Sequence, residues 1–317
     1  MAVMHLLTII ATSIILYFVG SRFTHASSNL GDYFRLPRSV KGATFDAISS
    51  SLPELMIALF SVLIFKKFEV GIGTIAGSAL FNLLIIPGIC VLVAPVAFRV
   101  SKDVVAREGI FYMIAVFALL AVLMYTTTWV IAVPFGFLLI YGWYVHDIVM
   151  HTKNNKQRRK PISFKKECAT ALICVLIIGI ATYFMTEAAI ELAEALGISP
   201  LIIAFTVVAA ATSVPDAIIS ILNAKQGNID DAVSNVFGSN IFDILVGLSI
   251  PLLLAIIFMG PFPINFPHLE LIVGLLGASI IVLYLMAQKH MLTRKQGISL
   301  LFIYLCFLAY VVFLSFQ

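Results

Sequence analysis

Charged residues are scarce in this chain. Asp, Glu, Lys and Arg make up 11% of its 317 residues, whereas 61% are hydrophobic and the mean hydropathy is +1.07. Soluble domains average about 25% charged and about 45–50% apolar residues. This deficit excludes a soluble globular chain and predicts a polytopic membrane protein. The net charge of +4 is explained by where the basic residues fall, so it does not indicate nucleic-acid binding.

Cysteine is also rare, and no cleavable signal peptide is evident. The four cysteines lie in apolar runs without a pairing pattern, which predicts small buried hydrophobic residues rather than disulfides or metal ligands; they are Cys90, Cys168, Cys174 and Cys306. The first apolar run has no basic residue before it and no small-residue cleavage site after it. We therefore expect it to be a retained span and not a cleavable signal peptide.

Apolar runs of about 20 residues, the length that crosses a bilayer, divide the chain into ten spans. They are predicted at 3–24, 40–65, 70–96, 107–126, 129–149, 168–190, 199–224, 231–258, 269–287 and 296–315. With this count, 18 of the 20 Lys and Arg fall on one side, and only Lys66 and Lys67 fall on the other. The positive-inside rule then predicts a cell (plasma or inner) membrane protein with both termini outside and the 151–167 loop in the cytoplasm.

The spans form two groups of five. We expect a first repeat at 1–150, a basic cytoplasmic linker at 151–167 that acts as a solvated connector, and a second repeat at 168–317. Because five is odd, the second group enters the membrane from the side opposite to the first. The predicted fold class is therefore an all-α polytopic membrane protein whose ten transmembrane helices form two inverted five-helix repeats.

Two motifs occur once in each half. The segment SSLPE at 50–54 recurs as TSVPD at 212–216, and GSALFN at 77–82 recurs as GSNIFD at 238–243. Each proline removes an amide donor and loosens the preceding turn, and carbonyls freed inside a membrane need partners, for which a bound cation is suitable. Inverted repeats bring such broken helices together at the midplane. We therefore expect Glu54 and Asp216 to face each other across one cavity.

Four acidic residues fall within or beside these motifs, namely Asp46, Glu54, Asp216 and Asp243. A carboxylate at membrane depth costs several kcal/mol by insertion scales, so we interpret Glu54, Asp216 and Asp243 as functional; the alternatives are helix-end residues or protonated acids in a polar network. Asp46 breaks the symmetry because its counterpart is Val208. It lies about two helical turns before Glu54, so it either lines the cavity or sits near the cytoplasmic mouth.

The neighbouring side chains are hard oxygen donors, and no His or Cys lies in a motif. All-oxygen ligation suits Ca²⁺, Na⁺ and K⁺ and argues against zinc or copper. The glycine-rich segment 71–77 lacks the Gly-Lys-Ser/Thr ending of a phosphate loop, so we expect it to allow close helix packing. Glu187, Glu191 and Glu194 follow helical spacing and predict a solvated helix end near the outer face.

The segments 42–54 and 205–216 resemble the paired repeats of the sodium/calcium (cation/Ca²⁺) exchanger superfamily. The segments 73–82 and 232–248 are most similar to its potassium-dependent branch. The resemblance covers both halves and implies a secondary antiporter that exchanges Ca²⁺ for Na⁺ by alternating access. The first and sixth spans would slide over the core as gates, and potassium involvement would be associated with Asp243.

The resemblance also implies a set of metal-binding residues. Glu54 and Asp216 would be the central Ca²⁺ ligands, shared with Na⁺, and the hydroxyls of Ser50 and Thr212 would contribute to the same sites. The remaining oxygens would come from Ser51, Ser213, Ser78 and Ser239 for Na⁺, from the carbonyls of Ala47 and Ala209, and from the flanking Asn82 and Asp243. The chain departs from the family at Ser49 and Ala211, where glycine is usual, and the added bulk is expected to affect the bend or the ion selectivity.

Other functions remain open at this point. A proton-driven Ca²⁺ antiporter is the nearest alternative, and a cation channel with the carboxylate pair as its filter is a weaker one. An intramembrane aspartyl enzyme is disfavoured because both acids directly follow proline in serine-rich motifs. We expect no enzymatic activity and no resident cofactor, with Ca²⁺, Na⁺ and the lipid bilayer as partners and a functional monomer.

Overall fold

The computed structural model describes residues 2–151 and 162–314, and this part of the chain is almost entirely helical. Ten helices cross the molecule, and each predicted span overlaps one of them, which confirms the count. They are α1 (Ala2–Tyr33), α2 (Gly42–Leu63), α3 (Phe68–Val93), α4 (Lys102–Tyr125), α5 (Ala132–His151), α6 (Phe164–Leu196), α7 (Pro200–Lys225), α8 (Ile229–Met259), α9 (Leu269–Lys289) and α10 (Arg294–Leu314). One further turn, Arg38–Lys41, leads into α2. Most of the predicted linker, residues 152–161, lies outside the described residues.

Two short antiparallel ladders join the halves. Strand β1 (Phe98–Arg99), between α3 and α4, pairs with β4 (Met291–Leu292), between α9 and α10. Strand β2 (Thr128–Trp129), between α4 and α5, pairs with β3 (Phe262–Pro263), between α8 and α9. Exchanging the two halves converts one ladder into the other. Because β1 and β2 lie at opposite ends of α4, the ladders lie at opposite faces of the protein.

The aromatic contacts repeat the same symmetry. Phe81 and Phe242 hold equivalent places in the two Gly-Ser motifs. Phe242 packs edge-on against Tyr141 of α5 with ring centroids 5.7 Å apart, and Phe81 packs edge-on against Tyr304 of α10, also at 5.7 Å. Matching contacts between α8 and α5 and between α3 and α10 confirm the inverted repeat at the level of side chains.

The centre of the molecule is formed by α3 and α8. Their most apolar windows are 78% and 72% buried, whereas α1, α5, α6 and α10 bury between 17% and 28% and present their apolar residues to lipid. Close packing of α3 depends on its glycines. A Cβ atom built on Gly77 would lie 2.1 Å from the carbonyl oxygen of Phe205 in α7, and one on Gly73 would lie 3.1 Å from that of Leu201. The predicted role of this segment in helix packing is confirmed.

The cysteine prediction is only half right. All four cysteines are free, and Cys90 and Cys174 are buried as expected. Cys306, however, is exposed on α10, and Cys168 is half-buried. The error has a simple physical reason: in a membrane protein an apolar run on a peripheral helix faces lipid, so a small hydrophobic residue there need not be covered by protein.

The motif helices α2 and α7 share a local irregularity. Wider turns with i→i+5 hydrogen bonds occupy Gly42–Asp46 and Ala204–Val208, immediately before Ala47 and Ala209. Such π-helical turns are rare and are often found at functional sites. The expectation of two broken helices is wrong for one of them: α7 bends by 43° around Ser213, whereas α2 continues through Pro53 without a comparable break.

Candidate cation-binding site

The motif side chains of α2, α3, α7 and α8 meet in the middle of the protein. Every one of the twelve residues assigned to the site from the sequence is buried, and the three acids Glu54, Asp216 and Asp243 are at most 1% exposed. Asp243 lies within electrostatic range of both other carboxylates, and Glu54 within range of Asp216. The structure therefore brings Glu54 and Asp216 together as expected, and the cavity predicted between them stays a prediction.

A chain of hydroxyls connects Glu54 with the other half. The Ser78 hydroxyl donates to Glu54 Oε1 at 3.4 Å and lies 2.8 Å from the Ser213 hydroxyl. Thus a residue of α3 bridges the carboxylate of α2 and the bend of α7. The second carboxylate oxygen, Glu54 Oε2, is buried and has no hydrogen-bond partner among the described residues.

Asp216 is held by a similar but denser network. It accepts a hydrogen bond from Ser239 at 3.0 Å, and Ser239 in turn lies 3.1 Å from Ser50. The repeat is imperfect here, because the partner in α2 is Ser50, while the residue equivalent to Ser213 is Ser51. The Ser51 hydroxyl is consequently left buried and unpartnered, close to Asp243.

Amide side chains complete the surroundings of Asp216. Asn82 Nδ2 donates to Asp216 Oδ2 at 3.3 Å. Asn235 Nδ2 donates to Asp216 Oδ1 at 3.5 Å and to Ser220 Oγ at 3.0 Å. The sequence-based assignment of the site omitted Asn235. Its spacing was a usable signal, because Asn235 lies four residues before Ser239 and so shares its face of α8.

The backbone carbonyls of Ala47 and Ala209 lie where the π-helical turns end. Ala47 O accepts the Ser50 hydroxyl at 3.3 Å, and Ala209 O accepts the Thr212 hydroxyl at 3.2 Å. These matching contacts place the two hydroxyls and the two carbonyls in equivalent positions of the repeats. Their predicted role as ion ligands stays a prediction.

Five buried oxygen atoms of the site have no hydrogen-bond partner in the described part of the chain. They are Ser51 Oγ, Glu54 Oε2, Asn82 Oδ1, Asp243 Oδ1 and Asp243 Oδ2. A buried polar atom without a partner costs about 1–3 kcal/mol, and more when it is charged. No Lys, Arg or His of the described residues forms an ion pair with any of the three acids. A cation is the partner that such a group of oxygens fits.

The kind of cation follows from the donors. All five atoms are oxygens, which suit Ca²⁺ or Na⁺, and Ca²⁺ takes about 6–8 oxygen ligands in flexible geometry. No three His, Cys, Asp or Glu residues of the described chain lie close enough to form a metal site alone. Neutral oxygens from hydroxyls, amides and carbonyls must therefore supply part of any coordination shell.

Asp46 lies away from this centre. It is partly exposed at the end of the first π-helical turn and faces Lys41, Asp32 and Ser28. Lys41 Nζ lies 2.8 Å from Asp32 Oδ1 and 3.0 Å from Ser28 Oγ. These contacts place Asp46 near the connection between α1 and α2 and not in the central cluster; that this end of the protein is cytoplasmic stays a prediction.

The outlying residues singled out in the sequence have ordinary surroundings. Glu194 and Glu191 are exposed on α6 and pair with Lys67 at 2.6 Å and with His5 at 3.0 Å, as expected for a solvated helix end, whereas Glu187 is only partly exposed. Ser49, which replaces the usual glycine, is buried, and its hydroxyl donates to the Asp46 carbonyl at 2.8 Å. The added side chain is therefore accommodated by a local hydrogen bond in α2.

Fold and site together define an inverted-repeat membrane protein with a buried, oxygen-lined cluster at the meeting point of its halves. The family described as "Sodium/calcium exchanger protein" matches residues 4–147 and 167–313. The chain belongs to this family.

Several known proteins are similar to this chain. An uncharacterized membrane protein of Methanocaldococcus jannaschii is 26% identical over 93% of this chain and 94% of its own length. Inner membrane protein YrbG of Escherichia coli is 28% identical over 76% of this chain and 77% of its own length. Sodium/potassium/calcium exchanger 4 of Mus musculus is 38% identical, but over 50% of this chain and 26% of that protein.

A solved structure has the same fold. The sodium-calcium exchanger NCX_Mj, soaked with 10 mM Na⁺ and 10 mM Sr²⁺, matches with a TM-score of 0.67 and 25% sequence identity. The match covers 98% of this chain and 99% of that one. The similarity therefore extends over all ten helices and is not limited to the motifs.

Proposed function

We propose that this protein is a secondary antiporter that exchanges Ca²⁺ for Na⁺ by alternating access at the central site. The observation that carries the proposal is the group of five buried, unpartnered oxygens among three carboxylates. Three carboxylates at membrane depth can be ionised together only with positive charge close by, and either one Ca²⁺ or several Na⁺ would supply it. Membership of the exchanger family supports the same reading.

We take the roles of individual residues from the family resemblance, and their contacts support this assignment. Glu54 and Asp216 are the central Ca²⁺ ligands, and Glu54 Oε2 and Asn82 Oδ1 are free to bind without breaking a hydrogen bond. Ser51, together with Ser78, Ser213 and Ser239, contributes to the Na⁺ sites. Because the two ions share these oxygens, one load must leave before the other binds, and this competition couples the two fluxes.

Alternating access needs elements that can move past the site. Helices α1 and α6 lie at the periphery, with their apolar windows 17% and 28% buried. The nearest atom to a Cβ built on Gly20 of α1 is Pro215 Cγ, at 3.8 Å, which is ordinary van der Waals contact. We propose that α1 and α6 slide across the ends of α2 and α7 and so expose the site to one side at a time.

The protein is a multi-pass membrane protein, and we propose that it resides in the cell membrane with both termini outside. The repeats would then correspond to residues 1–150 and 168–317, joined by the cytoplasmic linker. We further propose that it acts as a monomer, without a cofactor and without enzymatic activity. Asp243, with both oxygens free, would be the residue that accommodates K⁺ if potassium is cotransported.

The experiment is ⁴⁵Ca²⁺ uptake into proteoliposomes loaded with Na⁺, with Glu54→Gln and Asp216→Asn as test variants. Each substitution removes one central charge, so gradient-driven uptake should fall to the level of empty liposomes while the protein inserts normally. Asp103→Asn, an exposed acid in the first turn of α4, is the matched control and should keep wild-type uptake. Wild-type exchange in either test variant would remove that residue from the mechanism.

Further arms of the same assay separate the alternatives. Replacing the Na⁺ gradient by a pH gradient tests the proton-coupled antiporter, and adding K⁺ inside the vesicles tests cotransport. Uptake that does not saturate and is not stimulated by Ca²⁺ on the opposite side would indicate a channel. Uptake driven by a proton gradient alone would overturn Na⁺ as the coupling ion.

A further inference from the structure

The amide pair Asn82–Asn240 lies beside the central carboxylates. Each of the two Gly-Ser motifs contributes one residue of the pair. Asn240 Nδ2 lies 3.1 Å from the carbonyl oxygen of Ala79. A backbone carbonyl only accepts hydrogen bonds, so the atom of Asn240 that faces it must be the NH₂ group. The other end of the Asn240 amide, its Oδ1, is thereby turned toward Asn82.

The orientation of Asn240 determines that of Asn82. Asn82 Nδ2 lies 3.1 Å from Asn240 Oδ1 and 3.3 Å from Asp216 Oδ2. Both partners are acceptors, so both require the NH₂ end of Asn82. Its carbonyl oxygen must then point the other way, and Asn82 Oδ1 is one of the five buried oxygens without a partner.

Tyr112 lies next to Asn240. Its hydroxyl is fully buried beside the Asn240 amide and lies 3.0 Å from Ser279 Oγ. Ser279 Oγ is also 2.6 Å from the carbonyl oxygen of Leu275, which can only accept and so takes the serine hydrogen. The Ser279 hydroxyl thus anchors the Tyr112 phenol, whose hydroxyl lies beside the Asn240 side chain.

We infer that Asn240, anchored on the Ala79 carbonyl and backed by Tyr112, is a positioning residue that makes Asn82 present its carbonyl oxygen to the transported ion. This inference rests on the proposed function, because it assumes that a cation occupies the site. A reversed Asn82 amide would direct two N–H groups at the cation and replace a ligand by a repulsive dipole. Asn240 thus acts on ion affinity without being a ligand itself.

A double-mutant cycle tests the inference. Equilibrium binding of ⁴⁵Ca²⁺ to purified protein is measured for wild type, Asn240→Leu, Asn82→Asp and the double variant, with Na⁺ as competitor. A carboxylate offers an oxygen at either end, so Asn82→Asp makes the orientation irrelevant. We expect Asn240→Leu to weaken Ca²⁺ binding about ten-fold in the wild-type background and less than about two-fold with Asp at position 82.

The outcomes are distinct. Equal losses of affinity in both backgrounds would show that Asn240 acts only through general packing and would overturn the inference. Binding by wild-type protein that shows no exchange in liposomes would refute the proposed function but leave this cycle valid. Wild-type protein that binds neither Ca²⁺ nor Na⁺ would refute both. If Asn240→Leu does not yield folded protein, Tyr112→Phe replaces it in the cycle, with an expected loss of about two- to five-fold in the wild-type background.

A structure with bound Sr²⁺ provides an independent measurement. We expect the ion within about 2.6 Å of the Asn82 side-chain oxygen, near the upper end of the range for Ca²⁺–oxygen bonds. An occupied central site in which Asn82 makes no contact with the ion would overturn the inference.

Discussion

Gly77 and Gly238 begin the two copies of the Gly-Ser motif, yet their surroundings differ. A Cβ atom built on Gly77 would lie 2.1 Å from the Phe205 carbonyl oxygen and 2.8 Å from Ala209 Cβ. The nearest atom to a Cβ built on Gly238 is the Tyr144 hydroxyl oxygen, 3.9 Å away. The same substitution, Gly→Ala, should therefore have opposite effects at two positions that correspond in sequence.

The magnitudes can be estimated. Alanine in a helix interior is favoured over glycine by about 0.5–1 kcal/mol, so Gly238→Ala should be neutral or slightly stabilising. Overpacking a well-packed contact costs about 1–3 kcal/mol, and at Gly77 the obstacle is backbone that cannot rotate away. Since the helix preference for alanine applies at both positions, the two variants should differ by about 1–3 kcal/mol in stability. The contact that must open includes the π-helical turn before Ala209, so Gly77→Ala should also impair ion binding.

Thermal unfolding in detergent, followed by fluorescence-detected gel filtration, measures the first effect, and ⁴⁵Ca²⁺ binding measures the second. We expect a clearly lower melting temperature and weaker binding for Gly77→Ala, and a wild-type or higher melting temperature for Gly238→Ala. Equal melting temperatures for the two variants would refute the argument, because they would mean that α3 does not touch the α7 backbone as closely as the structure indicates.

Two further predictions concern single hydroxyl groups. Ser51→Ala removes an oxygen that has no hydrogen-bond partner, so the melting temperature in ion-free buffer should stay unchanged. Na⁺ should compete less well for ⁴⁵Ca²⁺ binding in this variant. A loss of stability without a change in Na⁺ competition would contradict this role. Tyr141→Phe removes the hydrogen bond that the Tyr141 hydroxyl donates to the Ala43 carbonyl at 2.5 Å. This loss should lower the stability measured by thermal unfolding by about 0.5–1.5 kcal/mol. An unchanged melting temperature would show that this contact does not stabilise the π-helical turn.

Much of the architecture was accessible from the sequence. Apolar run length and the distribution of Lys and Arg predicted ten spans, and the repeated motifs predicted which helices meet at the centre. These features could be predicted because membrane insertion depends on local composition, and each span carries its own signal. The role of the glycine segment 71–77 followed for the same reason, since close helix packing requires small residues wherever it occurs.

Other features could not be derived from local patterns. Pro53 and Pro215 occupy the same motif position, yet only α7 is sharply bent. The orientation of Asn82 depends on a carbonyl at Ala79 and on a side chain 158 residues away, so it emerges only when the helices have been assembled. Asn235 lies outside the duplicated motif, one turn before Ser239, so the repeat did not indicate it.

The two strand ladders bear on which motions are possible. Each ladder ties a loop of one half to a loop of the other, one at each face, so separating the halves toward either side would break main-chain hydrogen bonds between β1 and β4 or between β2 and β3. An elevator-like displacement of a whole repeat is therefore disfavoured. The helices between the ladders form a fixed frame, and the turnover rate should depend on the peripheral helices that the ladders do not hold, α1 and α6.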